Sequence, residues 1–135
     1  MQPKNSQFID SGAANSGSAS LSVVTVRRGE LAILAVTGSM DILTAPELEE
    51  AVADVLTGQP RGLIIDLTAA EFLSSAGMSV LVTAHESIAP FGSFGVVADG
   101  PSTARPLRLV GLDQTLTIYP TIDAAIAAMS GPENP

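Results

Sequence analysis

The spacing of apolar residues changes repeatedly between residues 20 and 130, and each change predicts a new element of secondary structure. Two runs rich in Val, Leu and Ile, residues 20–26 and 31–37, flank the polar segment 27-RRGE-30. Strand-like runs on either side of a short turn that contains glycine predict a β-hairpin.

Helical periodicity begins at residue 44, where apolar residues recur every three or four positions as far as residue 56. Thr44 and Glu47 have the spacing of a capping box, and Pro46 falls in the first turn, where its missing N–H costs little. Gly58 and Pro60 end the predicted helix. Its predicted inner face comprises Leu48, Val52, Val55 and Leu56.

Strands and helices alternate along the rest of the pattern. The apolar run 62-GLIIDL-67 predicts a strand buried on both faces, and a second helix follows the segment 74-SSAG-77. The predicted inner stripe of that helix comprises Met78, Leu81, Val82 and His85. The remaining predicted elements are a strand at 93–98, a short helix within 101–112, a strand at 115–119 and a helix at 121–130.

This order, β-β-α-β-α-β-α-β-α, predicts a single α/β domain over residues 20–130. A hairpin followed by strand–helix units implies a mixed sheet, antiparallel in its first pair and parallel afterwards, with about four helices covering it. Residues 1–19, rich in Ser, Gly, Ala, Asn and Gln, predict a disordered N-terminal tail. Residues 131–135 predict a C-terminal coil.

The composition excludes several functions. Hydrophobic residues make up 46% and aromatic residues 4% of the 135-residue chain, so we expect one domain with an aliphatic core. The net charge of −8 argues against a nucleic-acid partner, because phosphate binding needs clustered Lys and Arg. The chain has no cysteine, which removes disulfides and thiolate metal sites. Without a metal-ligand cluster or a phosphate-binding loop, we expect no metal and no cofactor.

The sequence also carries little sign of targeting. Its first residues lack the basic and apolar regions of a signal peptide, and the run 31-LAILAV-36 is too short to span a bilayer. We therefore expect a cytoplasmic protein without a membrane partner. The acidic balance suits a basic protein partner, although solubility is the preferred explanation.

The segment 71-EFLSSAGMSVLVTAH-85 places two hydroxyl groups at the start of a predicted helix. Ser74 or Ser75 can accept a hydrogen bond from a free N–H of the first turn, which is the structural interpretation. The free N–H groups and partial positive charge of a helix start also tolerate a phosphate, so the same place suits a phosphorylation switch. The pattern alone leaves both interpretations open.

Three other polar residues have a structural and a functional interpretation. Asp41, in 38-GSMDILTAPEL-48, lies between a strand end and a helix start, where functional loops of α/β sheets collect, or it supports the turn there. Asp66 closes the predicted strand and is interpreted as structural, and His85 as a core-edge residue. A hydrolase triad of Ser75, His85 and Asp41 fails, because ten residues of helix span about 15 Å. A nucleophile and its base lie within about 3 Å of each other.

Three blocks in this order, GSMDILTAPEL, LIIDLTAAEFLSSAGMSVL and GPSTARPLRLVGLDQTLTIYPTIDAAI, resemble a STAS domain of the anti-sigma factor antagonist (anti-anti-sigma factor) family. The resemblance covers about residues 20–130 and implies a STAS fold and a regulator without catalysis. It implies binding to an anti-sigma factor that is also a serine kinase, which releases the sigma factor. Phosphorylation of a serine at the start of the second helix ends that binding, and a serine phosphatase reverses it.

The resemblance assigns the phosphorylated residue to Ser75, with Ser74 as second choice. The family pattern there is Asp-Ser-Ser/Thr-Gly, and Ser74 stands in place of its aspartate, so a negative charge next to the acceptor is missing. Asp41 matches the aspartate of the family's G-x-x-D-x-x-T-A block. The partner-binding residues that the resemblance implies are Asp41, Thr44, Ser74, Ser75, Ala76, Gly77 and Met78.

Two alternatives stand beside a switch at Ser75. A STAS module that acts without phosphorylation would serve as a ligand-sensing or scaffold subunit, and the missing motif aspartate is compatible with it. An enzyme with an activated serine would need a base that the pattern does not supply. For each function we expect a monomer or weak dimer.

Overall fold

The structure, a computed structural model, describes residues 21–130. The predicted tail, residues 1–19, and the predicted coil, residues 131–135, lie outside the described residues. The described part contains five strands and four helices in the predicted order. The elements are β1 (Leu21–Arg28), β2 (Leu31–Met40), α1 (Ala45–Leu56), β3 (Gly62–Leu73), α2 (Ser75–Ile88), β4 (Ser93–Val97), α3 (Ala104–Leu109), β5 (Ile118–Tyr119) and α4 (Ile122–Met129), with a 3₁₀ turn at Leu112–Gln114 between α3 and β5.

The strands form one mixed sheet in the order β1-β2-β3-β4-β5. The hairpin strands β1 and β2 are antiparallel, whereas each later neighbouring pair is parallel. This confirms the predicted α/β architecture. Because β2, β3, β4 and β5 point the same way, their carboxyl ends meet at one edge of the sheet and their amino ends at the other.

Helices cover both faces of the sheet. The larger core cluster joins one face to α1, α2 and α3 through Leu48, Leu81 and Leu107, none of which is exposed to solvent. The smaller cluster joins Ile33 and Ile64 on the opposite face to α4. Successive residues of β3 alternate between the two clusters, so its apolar run is buried on both faces, as predicted.

The central strand is twice as long as its apolar run. β3 continues from the predicted end at residue 67 to Leu73, because β2 also continues to Met40 and supplies a parallel partner. The β2–β3 register shifts at two places, between Ala35 and Thr37 and between Gly38 and Ser39, and at each of them β3 carries one extra residue, as in a β-bulge. Asp66 therefore lies inside the strand, which corrects its predicted place at the strand end, and its Oδ1 accepts bonds from Thr68 N–H (3.0 Å) and Thr68 Oγ1 (2.8 Å).

Two other predictions needed correction. The strand predicted at 115–119 is reduced to two residues, since the 3₁₀ turn and its bonds occupy the preceding segment. The predicted inner stripe of α2 is rotated: the buried residues are Gly77, Val80, Leu81, Ala84 and Ile88. Glycine and alanine are on that face because they let the helix approach the sheet closely, which apolar periodicity does not register. His85 is half-buried, with its ring centroid 5.8 Å from that of Phe94.

Candidate functional site

The carboxyl ends of β2 and β3 bring two separate motifs together. Met40 and Leu73 are register partners at the ends of these strands, and the N–H of Ser74 donates to the carbonyl of Met40 at 2.9 Å. Asp41 and Ser74 therefore directly follow the last residues of two paired parallel strands. Neighbouring strands of a sheet lie about 4.8 Å apart. Ser75 follows one position later. The sequence separates these motifs by more than 30 residues, and strand pairing makes them neighbours.

Asp41 organises the turn that leads into α1. Its Oδ1 accepts hydrogen bonds from the N–H groups of Leu43 (2.9 Å) and Thr44 (3.0 Å), and its carbonyl accepts from Ala45 N–H (2.8 Å). An aspartate that accepts from N–H groups two and three residues ahead forms an Asx turn, which here leads the chain into α1. Asp41 is only partly buried, so its carboxylate supports the turn and still contributes negative charge to this edge.

Thr44 also stabilises the turn between β2 and α1. It is 2% exposed, and its hydroxyl accepts from Asp41 N–H (2.9 Å) and donates to the carbonyl of Ser39 (2.7 Å). The predicted capping box is wrong, because Thr44 makes no side-chain capping bond to α1. Glu47, its predicted partner, instead has a pKa raised above the ordinary value by partial burial and by the negative charges of Glu50 and Asp41.

Ser74 and Ser75 have different roles in the structure. Ser74 has extended backbone angles (φ −89°, ψ 174°), and its side chain accepts from Gly77 N–H at 3.2 Å, so Ser74 is the cap of α2. Ser75 is the first residue of the helix and is exposed. The sequence pattern alone did not decide which of the two serines caps α2 and which one could be phosphorylated. The structure assigns the cap to Ser74 and leaves the Ser75 side chain accessible from solvent.

Gly77 allows α2 to begin at this position. A Cβ atom there would lie 2.8 Å from both Leu73 Cδ1 and Met40 Cγ. The first turn of the helix therefore packs directly on the last side chains of β2 and β3, which fixes Ser75 beside the Asp41 turn. Thr44 and Gly77 are both buried, and their contacts support the edge; their predicted role in partner binding stays a prediction.

Exposed apolar residues lie next to these polar groups, and the apolar periodicity of the sequence did not point to them. Ile42 and Leu43 follow Asp41 and are 76% and 78% exposed, and Phe72, two residues before the α2 cap, is 52% exposed. Ala76 and Met78 are half-buried. The available signal was a pair of large apolar residues in a turn, where neither fits the periodicity of a strand or a helix. We call Asp41, Ile42, Leu43, Phe72 and Ser75 the carboxyl-edge surface.

The other groups near this edge offer little for catalysis. His85 lies ten residues along α2 from Ser75, about 15 Å by helix rise, and its buried Nδ1 has no hydrogen-bond partner within the described part of the chain. A base at that distance cannot activate the Ser75 hydroxyl. Among residues 21–130, no group of three His, Asp or Glu residues is arranged to hold a metal ion. No helix in the same range is long and apolar enough to cross a membrane.

Comparisons with known proteins agree with this architecture. The STAS domain family matches residues 22–125. The anti-sigma-F factor antagonist RsfB of Mycobacterium tuberculosis is 39% identical over 112 residues, which cover 83% of this chain and 92% of that protein. A crystal structure of an anti-sigma factor antagonist from Mycobacterium paratuberculosis superposes with a TM-score of 0.80 at 40% identity, covering 83% of this chain and 96% of that one.

A more distant structure shares the fold. The Bacillus cell fate determinant SpoIIAA, solved in its phosphorylated form, superposes with a TM-score of 0.59 at 15% identity, over 81% of this chain and 98% of that chain. The match of the family over most of the chain and the identity to two mycobacterial antagonists confirm the resemblance found in the sequence. The chain therefore belongs to the STAS domain family, and within it to the anti-sigma factor antagonists.

Proposed function

We propose that this protein binds an anti-sigma factor that has serine kinase activity, so that the sigma factor is released, and that phosphorylation of Ser75 ends the binding. A serine phosphatase would restore the unphosphorylated form. The protein itself would carry out no catalysis and would act in the cytoplasm, where sigma factors meet RNA polymerase. The observation that carries the proposal is the exposure of Ser75 at the edge where strand pairing also places the Asp41 turn, together with exposed apolar residues.

Docking of the unphosphorylated protein would use the apolar part of the carboxyl-edge surface. Ile42, Leu43 and Phe72 are each more than half exposed, and burial of one such side chain contributes about 1.5–3 kcal/mol. Clustered apolar side chains with a polar rim are typical of protein-binding surfaces. Asp41 adds a negative charge that a basic group of the partner can pair, and the neutral Ser75 hydroxyl costs little to bury when it finds a hydrogen bond.

A phosphate on Ser75 would change the charge of this surface without disturbing the fold. It adds a charge of about −1.5 to −2, and the amino end of α2 tolerates that charge because its N–H groups and dipole face it. In a docked complex the phosphate and the Asp41 carboxylate would both lose water and repel each other. A net penalty of about 3 kcal/mol weakens binding more than a hundredfold.

The exposure and hydrogen bonds of the two serines support Ser75 as the phosphate acceptor over Ser74. Ser74 is half-buried, and its hydroxyl oxygen already accepts from Gly77 N–H at 3.2 Å, so it is less accessible to a kinase than the exposed Ser75. Ser75 is exposed and makes no hydrogen bond that its modification would break within the described residues. Because serine replaces the motif aspartate at position 74, a negative charge next to the acceptor is absent. The Ser74 hydroxyl still caps α2 in the same place.

The test is binding of purified variants to the cognate anti-sigma factor kinase, with mass spectrometry after incubation with ATP. Ser75→Ala should bind like the native protein and accept no phosphate, whereas Ser75→Glu should bind at least tenfold more weakly. Ile42→Ser should weaken binding, and Val24→Thr serves as its matched control, because Val24 is an exposed apolar residue (55%) in the middle of β1.

Three results would contradict the proposal. Native-like affinity of Ser75→Glu would show that negative charge at this position does not control docking. Phosphate found on Ser74, with Ser75 unmodified, would move the switch to the capping residue. Tight binding of the native protein with no phosphorylation of either serine would support the STAS module that acts without phosphorylation.

A further inference from the structure

The amino-terminal edge of the sheet, opposite the carboxyl-edge surface, carries most of the positive charge. Residues 21–130 contain five of the six Lys and Arg residues of the chain and twelve of its 14 acidic residues. Three of those five arginines, Arg27, Arg28 and Arg61, lie at the end of β1 and just before β3. An otherwise acidic molecule is therefore basic at this edge.

A cleft of about 530 Å³ opens at the same edge. Its lining residues come from the hairpin turn, the segments just before β3 and β4, and the end of α4, and they include Arg28, Glu30, Arg61 and Phe91. Its volume is in the range of small-molecule sites, about 300–1,000 Å³. Glu30 is its one acidic lining residue, against two arginines.

The floor of the cleft is held by backbone bonds and close packing. Arg61 N–H donates to the carbonyl of Glu30, and Ser93 N–H donates to the carbonyl of Arg61, both at 3.0 Å. A Cβ atom on Gly92 would lie 2.7 Å from the carbonyl oxygen of Arg61. The three segments are thus tied together at fixed spacing, so the cleft does not depend on a ligand for its shape.

The guanidinium groups of the cleft retain free donors. Arg61 approaches Glu30 Oε1 through Nη1 at only 3.6 Å, and both side chains are at least 70% exposed, so this ion pair is loose. Arg28 forms no ion pair with the described residues. The planar fork of a guanidinium fits the oxygens of a phosphate or carboxylate. Beside these charges, the Phe91 ring is 42% exposed and offers an apolar surface on which a flat group can stack.

From these features we propose that the amino-edge cleft binds a small organic phosphate, with the anion held by Arg28 and Arg61 and a planar ring packed against Phe91. The site is separate from the proposed switch, because the twelve residues of β3 lie between them, about 40 Å at 3.3 Å per residue. Binding here is therefore independent of the charge state of Ser75.

The experiment is calorimetric titration of the full chain at low salt with three probes: AMP, inorganic phosphate and adenosine. AMP combines the anion with the ring, whereas phosphate and adenosine each supply one part. We expect AMP to bind more tightly than either part alone. Arg28→Gln and Arg61→Gln should each weaken AMP binding about tenfold, and Phe91→Ser should weaken AMP but leave the affinity for phosphate unchanged.

Arg108→Gln is the matched control, since it removes the same charge from the exposed face of α3, outside the cleft. It should leave AMP affinity unchanged, as should Ser75→Glu. The proposal is overturned if millimolar AMP gives no saturable binding, or if Arg108→Gln weakens AMP as much as Arg61→Gln, which would indicate attraction by overall charge. Equal affinity for AMP and phosphate would overturn the assignment of Phe91.

Discussion

Replacement of Ser74 by alanine tests the separation of roles between the two serines. The change removes the acceptor that Gly77 N–H meets at 3.2 Å and leaves that group without a partner at a half-buried helix start. Loss of a serine cap costs about 0.5–2 kcal/mol, typically about 1. For a folded region of this size, a loss of about 1 kcal/mol lowers Tm by roughly 4 °C.

Ser75→Ala provides the comparison within the same helix. Ser75 is exposed and lies one position inside α2, where alanine is a good helix former. We expect its free energy of unfolding to stay within about 0.5 kcal/mol of the native value. Ser74→Asp should recover the stability that Ser74→Ala loses, because aspartate caps as well as serine and its charge favours the helix start.

The assay is urea unfolding followed by circular dichroism, supported by thermal scans of all three variants. The expected order of stability places Ser74→Ala below native, with Ser75→Ala and Ser74→Asp close to native. Equal destabilisation by the two alanine variants would refute the separation of roles, since it would mean that both hydroxyls contribute to the stability of the α2 start. Failure of Ser74→Asp to recover would show that the serine contributes by packing and not by its hydrogen bond.

Three other substitutions test the interactions near the carboxyl edge of the sheet. Thr44→Val should cost about 1–3 kcal/mol in urea unfolding, because Asp41 N–H and the Ser39 carbonyl lose their partner in a buried place; a neutral result would mean that water replaces the hydroxyl. Gly77→Ala should lower stability by on the order of 1 kcal/mol, since overpacking exceeds the gain in helix propensity; increased stability would show that Met40 and Leu73 yield easily. Glu47 has a folded-state pKa raised by burial and by neighbouring carboxylates, so its ionisation as pH rises from about 3.5 to 7 costs stability. The stability of Glu47→Gln relative to native should therefore increase over that range, by a few tenths of a kcal/mol for an exposed group, and a decrease would contradict the direction of the shift.

Local patterns in the sequence determined the elements and their order. The switch from period two to period three or four located the hairpin and the later strand–helix units, because a side chain's position on a strand or helix follows directly from local geometry. The same reasoning placed Ser74 and Ser75 at a helix start. It failed where backbone pairing and close approach decide the outcome: the extension of β3 to Leu73 depends on β2, and the inner face of α2 depends on Gly77.

The sequence alone predicted only part of the candidate site. The motif resemblance singled out Asp41 and Ser75, yet their proximity depends on the parallel register that ends with Met40 beside Leu73. Local spacing also predicted a Thr44–Glu47 capping box, but the Thr44 hydroxyl bonds to the strand end instead, because tertiary packing brings those backbone groups within reach. A sequence carries each residue's chemistry and local conformation. Only the folded sheet decides which distant residues share an edge, because that depends on contacts between segments that are far apart along the chain.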